Sequence, residues 1–279
     1  MIRQQFTKAQ IAGKSLNILS KANPSKAGKM AFDIFCTPRE GKVFKAKESA
    51  FLNKAEQHTV LVHDIEVSTY HWKGGEKLVL LAHGYESNSA RWRALVPTLL
   101  RHNYSVVAVD APAHGLSSNK TVNGVLYAQT LEKVIKRFSP NFAIGHSFGG
   151  MSLAYYFSTF KYQTIDKIIL MATPSRLRLI INLFYDELNL NDRCRQAMET
   201  YFEKQFGFTI DDFTVGEFIK NCQIPGAIIH DESDLIAPIT EADHIHENWN
   251  NSTLIKTTGL GHFLQSGDVF NHILDVLKI

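Results

Sequence analysis

A serine lies between two glycines near the middle of the chain, in the pentapeptide Gly-His-Ser-Phe-Gly at 145–149. A short apolar run at 142–144 precedes it, and a helical pattern at 151–156 follows. At a strand-to-helix turn, Gly-x-Ser-x-Gly holds the serine on a sharp bend that only small neighbours tolerate, so the hydroxyl projects from the end of a sheet. The simpler alternative is a glycine-rich turn whose serine caps the next helix. The flanking strand and helix favour the bend, and we predict that Ser147 is a nucleophile.

Strand-like and helix-like segments alternate from about residue 58 onward. This alternation is typical of a mostly parallel sheet covered by helices, so we predict an α/β fold. The predicted strands are the apolar or alternating runs at 60–62, 65–70, 78–82, 106–109, 142–144, 168–171, 227–229 and 254–255. Helical patterns lie between them at 90–101, 125–138 and 269–277. A chain of 279 residues has room for one such domain with insertions.

One connection interrupts the alternation after the sixth predicted strand. It runs for roughly 50 residues, against ~2–6 in an ordinary connection, and its apolar residues recur at helical spacing. We predict a small helical lid at 175–222; a helical hairpin that packs on the core without gating is the alternative. The core is then 58–174 with 223–279, and 1–57 is predicted to be a helical segment that packs on it.

The charge distribution argues against nucleic acid as a partner. The formal net charge is only +3, and the basic residues form no long run. Six basic residues precede the first acidic residue, Asp33, and they are Arg3, Lys8, Lys14, Lys21, Lys26 and Lys29. A presequence or a membrane-surface helix has a similar charge, but the segment holds no continuous apolar stretch. No run approaches the ~20 apolar residues that cross a bilayer, so we expect no stable membrane insertion.

Cysteine and histidine spacing predicts neither disulfides nor a metal site. The three cysteines, Cys36, Cys194 and Cys222, are widely separated and odd in number, which favours a reducing, cytoplasmic location. On a helix, His244 and His246 would point to nearly opposite sides and could not share a metal ion. No glycine-rich phosphate loop is present, so we expect no nucleotide cofactor and predict that the protein uses no cofactor or metal.

A serine nucleophile needs a base to take its proton and an acid to orient that base. Among the 12 histidines, His262 is favoured as the base because it lies in a glycine-bounded loop just after the last predicted strand. The loop after the penultimate strand offers three carboxylates, Asp231, Glu232 and Asp234. We choose Asp234, since it lies far enough beyond the strand to reach sideways, whereas Asp231 ends the strand and Glu232 faces solvent.

Two backbone amides should stabilise the oxyanion that forms during acyl transfer. In this arrangement one donor is the residue after the nucleophile, Phe148, and the other follows the third strand, where His83-Gly84-Tyr85 predicts Tyr85. The carboxylate of Glu86 would oppose an oxyanion, so we expect its side chain to turn outward toward Arg91 or Arg93.

The chain resembles the α/β-hydrolase superfamily, in its esterase and lipase-like branch with a serine nucleophile. The resemblance rests on His83-Gly84, on Asp-Ala-Pro-Ala-His-Gly-Leu-Ser at 110–117, on the pentapeptide with Gly145 and Gly149, and on the segments around Asp234 and His262. It implies an α/β-hydrolase fold with a mostly parallel eight-stranded sheet and a lid after strand six. It also implies that Asp110 and His114 shape a loop and take no part in the chemistry.

Together these features predict a cofactor-independent serine hydrolase that cleaves a small-molecule ester or thioester through an acyl-enzyme. Amide or C–C bond cleavage by the same Ser147-His262-Asp234 set remains open, as does a non-catalytic ligand-binding protein with this fold. The sequence leaves the substrate and the oligomeric state open.

Overall fold

The computed structural model describes residues 8–42, 46–160 and 165–278. Arg3, one of the basic residues noted above, lies outside them. The described residues form an eight-stranded sheet in the order β1-β2-β4-β3-β5-β6-β7-β8. The strands are β1 Glu56–Val62, β2 Ile65–Trp72, β3 Lys77–Ala82, β4 Tyr104–Val109, β5 Phe142–His146, β6 Lys167–Met171, β7 Gly226–Asp231 and β8 Ser252–Thr257. All eight predicted strands are confirmed.

The helices of the described residues lie between and before these strands. They are α1 Lys8–Ala22, α2 Pro24–Phe35, α3 Ala46–Leu52, α4 Leu95–Arg101, α5 Gly124–Phe138, α6 Phe148–Thr159, α7 Leu177–Leu188, α8 Asp192–Phe206, α9 Val215–Ile219, α10 Ile239–Asn248 and α11 Gly267–Leu277. Two 3₁₀ turns, Ser89–Arg93 and Gly261–Phe263, complete the elements. Within the part of the chain that the structure describes, no helix combines the length and the apolar character needed to cross a membrane.

The six strands β4, β3, β5, β6, β7 and β8 are neighbours in this order and run parallel to one another. Strand β2 is antiparallel to both of its neighbours, β1 and β4. Side chains of the central strands β3, β4 and β5 are buried almost throughout, as expected for strands covered by helices on both faces. Because the parallel strands run in one direction, the loops after β3, β5, β7 and β8 meet at the same edge of the sheet. That edge collects the predicted site residues.

The predicted helix at 90–101 is instead a 3₁₀ turn, Ser89–Arg93, followed by α4. Asn88 caps the turn by accepting a hydrogen bond from the Ala90 amide at 3.0 Å. Pro97 has no amide proton, so it fits in the first turn of a helix that begins at Leu95. The proline and the cap therefore favour a short helix that begins later than predicted.

The chain divides into two compact units. One comprises the chain up to Thr37 together with Arg176–Thr214, and the other comprises Pro38–Ser175 with Val215–Ile279. The first unit has its own apolar core, in which Phe32, Tyr185 and Phe202 are buried. The second holds the sheet.

Residues 175–222 are largely helical, as predicted, and contain α7, α8 and α9. Gly207 ends α8 in the left-handed conformation, with φ +78°, as its position in the sequence indicates. The role of this segment as a lid and the predicted domain limits at 57, 174 and 222 stay predictions.

Candidate active site

Ser147 lies on a sharp bend between β5 and α6. Its φ of 52° and ψ of −119° form an unusual backbone conformation for a residue with a side chain. The Ser147 amide donates a hydrogen bond to the Met171 carbonyl at the end of β6, at 2.9 Å. The bend is therefore anchored to the sheet, and the serine side chain makes no capping hydrogen bond to the helix that follows.

Close backbone approach explains the two glycines that flank the bend. A Cβ atom at Gly145 would stand 2.6 Å from the Cα of Gly150, and one at Gly149 would stand 2.4 Å from the Ala82 carbonyl oxygen. Neither separation is possible for a real side chain without movement of the backbone. Only glycine allows β5, α6 and the end of β3 to pack this closely around Ser147.

The structure brings Ser147, His262 and Asp234 into one hydrogen-bonded chain. His262 Nε2 lies 2.9 Å from Ser147 Oγ, and His262 Nδ1 lies 2.7 Å from Asp234 Oδ2. The Asp234 side chain is fully buried, while the His262 side chain is 11% exposed. The imidazole thus connects a buried carboxylate to a serine hydroxyl at the more open end.

Asp234 is held as an ionised acceptor. Its Oδ1 accepts hydrogen bonds from the Ile236 and Ala237 amides at 2.8 and 2.9 Å, which leaves Oδ2 for His262. Burial raises the pKa of this carboxyl, but the hydrogen bonds from His262 and Ala237 outweigh it and leave the pKa below its usual value. An ionised Asp234 accepts only, so His262 carries its proton on Nδ1 and its Nε2 accepts from the Ser147 hydroxyl.

Asp231 and Glu232, the other two carboxylates of this loop, have different partners. Asp231 accepts hydrogen bonds from the Thr257 hydroxyl at 2.8 Å and the Leu260 amide at 3.0 Å. Burial raises its pKa, but these and other backbone donors outweigh that effect and lower the pKa to about 2. Glu232 is exposed and accepts from Thr258. Asp231 thus ties β7 to the loop that carries His262, whereas the two ring nitrogens of His262 are bonded to Asp234 and Ser147.

Two side chains that the sequence analysis missed hold the His262 loop. His146 Nε2 donates to the carbonyl of His262 at 2.8 Å, and Arg91 Nη2 donates to the carbonyl of Phe263 at 3.1 Å. Burial, and next the charge of Arg91, hold the pKa of His146 well below its ordinary value, so this imidazole is neutral. His146 lies inside the pentapeptide and could have been considered from the sequence, whereas no sequence signal marks Arg91.

The loop after β3 is organised by buried histidines. His83 Nδ1 donates to the Gly84 carbonyl at 2.7 Å, and its Nε2 accepts from the Ala111 amide at 3.0 Å. Burial holds the pKa of His83 well below its ordinary value. A Cβ atom at Gly84 would lie 3.2 Å from Ser147 Cβ, so this loop passes close to the serine.

The predicted oxyanion donors lie on adjacent segments. The rings of Tyr85 and Phe148 meet edge to face with centroids 5.8 Å apart. Phe148 is the first residue of α6, whose first amides have no carbonyl partner within the helix. Both residues are therefore near the bend that carries Ser147.

Glu86 has a different partner from those predicted. Its carboxylate accepts from the Arg39 amide at 2.8 Å and from Arg39 Nε at 3.4 Å. Glu86 has a positive φ, 51°, and its amide donates to His114 Nε2 at 3.0 Å. The partner was wrong because Arg39 is distant in sequence, and Arg91 is engaged by the His262 loop.

Asp110 and His114 have the contacts expected of loop-shaping residues. Asp110 is fully buried and accepts from the Tyr70 hydroxyl at 2.9 Å and from the Ser89 amide at 2.8 Å. His114 Nδ1 donates to the Pro112 carbonyl at 3.0 Å. Both residues connect the turn after β4 to its surroundings.

His244 and His246 have separate partners. His244 Nδ1 lies 2.7 Å from Ser175 Oγ, and His246 Nδ1 lies 2.8 Å from Ser252 Oγ. Each imidazole is thus bonded to a different serine.

Comparison with known proteins agrees with this architecture. Residues 77–213 match the family model described as the alpha/beta hydrolase fold. An esterase from Exiguobacterium antarcticum has a similar structure, with a TM-score of 0.62 and 16% sequence identity over 79% of this chain and 98% of the esterase.

Two sequence relatives extend the comparison. The human serine hydrolase-like protein is 38% identical over 128 residues, which cover 43% of this chain and 60% of that protein. The chain matches smaller shares of two further serine hydrolase-like proteins, so the match spans less than two thirds of these relatives. The karrikin insensitive 2 receptor IA of Petunia hybrida is 23% identical over 237 residues, or 68% of this chain and 85% of the receptor. The family match, the eight-stranded sheet and the structural likeness to the esterase show that the chain has the α/β-hydrolase fold.

Proposed function

We propose that the protein is a cofactor-independent serine hydrolase that cleaves a carboxylic ester or thioester through an acyl-enzyme. The observation that carries the proposal is the continuous chain of hydrogen bonds from Ser147 through His262 to Asp234. A serine hydroxyl is a weak nucleophile at neutral pH, and an oriented imidazole within hydrogen-bond reach is what activates it.

In the first step Ser147 Oγ attacks the carbonyl carbon of the substrate while His262 Nε2 takes the hydroxyl proton. The imidazolium that forms is stabilised by ionised Asp234, whose Oδ2 accepts from Nδ1 at 2.7 Å. Collapse of the tetrahedral intermediate then breaks the bond to the alcohol or thiol, and His262 returns the proton to this leaving group. The acyl group remains on Ser147.

The amides of Phe148 and Tyr85 are the proposed oxyanion donors. Phe148 begins α6, a helix of 12 residues, and the amino end of a helix carries partial positive charge. Donors held in place before the reaction stabilise the developing charge without reorganisation. In the second step a water molecule attacks the acyl-enzyme while His262 takes its proton. The bond between the acyl carbon and Ser147 Oγ then breaks, His262 returns the proton to Oγ, and the carboxylic acid leaves.

A ligand-binding role without turnover is the competing proposal, because one relative that matches 68% of this chain is named a receptor. The relatives named serine hydrolase-like and the complete hydrogen-bonded set favour hydrolysis. The cytoplasmic location also stays a proposal, and it is supported by the buried cysteines of the described residues, Cys36, Cys194 and Cys222, which form no disulfide with one another.

A fluorophosphonate probe and a panel of p-nitrophenyl esters graded by acyl length test the proposal. We expect labelling at Ser147, ester turnover, and a loss of at least ~10³ in turnover for a folded Ser147→Ala protein. Thioesters and amides with the same acyl group then define the bond that is cleaved. Failure of the wild type to label or turn over any substrate would favour the ligand-binding role, and an active Ser147→Ala protein would exclude the acyl-enzyme.

A further inference from the structure

Three potential metal ligands meet on one face of the β1–β2 hairpin, in a part of the sheet that the proposed reaction does not use. Glu56 and His58 alternate along β1, so their side chains share a face, and His71 of β2 lies directly opposite Glu56. One ligand atom from each of these residues lies within 4.8 Å of the others. From this cluster we propose that Glu56, His58 and His71 bind a divalent transition metal ion of the zinc type.

The donor set determines the class of metal. Two imidazole nitrogens and one carboxylate oxygen suit zinc and its neighbours, whereas calcium and magnesium prefer oxygen alone. Two donors on one tetrahedral zinc stand roughly 3.4 Å apart, so movements of about 1 Å or less per side chain would close the set. Three protein ligands leave a fourth position for water.

His58 supplies the second observation. Its Nε2 atom is shielded from solvent and has no hydrogen-bond partner among the described residues. Glu56 Oε2 lies near it but at 3.9 Å, beyond hydrogen-bond reach. Shielded polar atoms are nearly always paired. A metal ion between the imidazole and the carboxylate would give this nitrogen a partner.

The surroundings hold the two imidazoles in place. Phe138, the last residue of α5, meets His58 and His71 edge to face with centroids 5.6 and 5.8 Å apart. Lys73 pairs with Glu56 through Oε1 at 2.6 Å, so Oε2 is the oxygen that faces His58. The aromatic wall restricts the rings, and the lysine leaves one carboxylate oxygen for the metal.

The position of the cluster indicates a structural role. It joins the start of the edge strand β1 to the end of β2, and β2, β4 and β3 separate β1 from the strand that leads to Ser147. A bound ion would connect two antiparallel strands across their open end. It would therefore stabilise the hairpin without contact with the reacting groups.

Titration with zinc alone tests the proposal. The full chain is stripped with EDTA, exchanged into metal-free buffer and titrated by calorimetry, with thermal unfolding recorded in parallel. All proteins carry His262→Gln, because His262 and Asp234 are a second potential zinc site. We expect one zinc ion per chain, a higher midpoint of unfolding with zinc, and more than ~10-fold weaker binding in the His58→Gln, His71→Gln double variant.

His102→Gln is the matched control, since it removes an exposed histidine on the same unit that lies outside the cluster. Glu56→Gln changes an exposed side chain at the start of β1, and it tests the site if the double variant does not fold. Weaker binding in Glu56→Gln with unchanged binding in His102→Gln would support the site. Absence of zinc binding in the parent protein, or equal affinity in all variants, would overturn it.

Discussion

Asp231 and Asp234 lie on one short loop, and the donors that reach each carboxylate separate their roles. Backbone amides occupy only one oxygen of Asp234, so the other is available to His262. Asp231 instead accepts hydrogen bonds from the Thr257 hydroxyl and the Leu260 amide, both on its Oδ2. Chemically equal side chains therefore have different partners: Asp234 is bonded to the His262 imidazole, and Asp231 is bonded to the loop that carries His262.

The first residue-scale prediction compares the two acids in turnover. Asp234→Asn should lower ester turnover on the order of 10³–10⁴-fold, because the amide favours the wrong tautomer of His262. Asp231→Asn should lower ester turnover far less, since Asp231 is bonded to Thr257 and Leu260 while the imidazole is bonded to Asp234. Steady-state kinetics on the best ester of the panel measures both, and the reverse ranking would move the orienting role to Asp231.

The second prediction concerns acid stability. The pKa of Asp231 is lowered from 3.8 to about 2, so its ionised form stabilises the fold above its unfolded pKa, and this contribution is lost as pH falls through the folded pKa. The Asp231→Asn variant should therefore have a lower free energy of unfolding than wild type near pH 5. This difference in free energy should become smaller between pH 4 and pH 2. Urea unfolding across this range measures it, and a constant difference would contradict the assignment.

The third prediction concerns His146, the neutral donor to the His262 carbonyl. His146→Leu removes the donor, so it should leave a folded protein whose kcat and rate of fluorophosphonate labelling fall at least ~10-fold, because small displacements of a catalytic group are costly. His146→Gln keeps an N–H group and should recover part of both. Equal values for the two variants would show that His146 only fills space.

At the scale of elements, the bend at Ser147 depends on how closely β5, α6 and β3 approach. The backbone of α6 lies against the end of β3 with only a glycine hydrogen between them at Gly149. The strained serine is thus maintained by packing of whole elements, which is how unusual backbone conformations persist.

Gly149→Ala and Gly267→Ala form a matched pair that tests this packing. A Cβ atom at Gly149 would lie 2.4 Å from the Ala82 carbonyl, so the variant should lose about 1–3 kcal/mol of stability and most of its labelling at Ser147. Gly267 begins α11, with no atom within 4 Å of such a Cβ, so its alanine variant should be as stable as wild type or slightly more stable. Chemical denaturation compares them, and equal losses would contradict the packing argument.

At the scale of the whole molecule, each of the two units is built from two separate segments of the chain. The helical unit joins two segments far apart in sequence, and α1 packs closely against α7 within it: a Cβ atom at Gly13 would lie 1.7 Å from the Leu188 carbonyl oxygen. The unit that holds the sheet also consists of two segments, Pro38–Ser175 and Val215–Ile279. Each unit therefore needs contacts between segments that are distant in sequence.

Gly13→Ala should loosen the helical unit in particular. The added methyl group cannot fit between α1 and α7, so amides of these helices should exchange faster with solvent, while those of β3 to β6 keep their protection. Hydrogen exchange followed by mass spectrometry measures both sets in one experiment. Unchanged exchange in α1 and α7 would show that this contact does not stabilise the unit.

The sequence by itself determined the strands, the bend at Ser147 and the loops on which Asp234 and His262 lie. These are local signals, because apolar runs, the helical period and glycines at a turn act over a few neighbouring residues. Asp234 and His262 were predictable because each lies just after a strand, and the ends of parallel strands meet at one edge.

Only the tertiary structure decided which side chains meet across the fold. Arg39 pairs with Glu86, Arg91 holds the Phe263 carbonyl, and His71 comes to face Glu56, all between residues remote in sequence. Such contacts depend on register, on backbone direction and on competition among many possible donors. The type of a residue determines which hydrogen bonds it can donate or accept, but its partner is determined only when the whole chain packs.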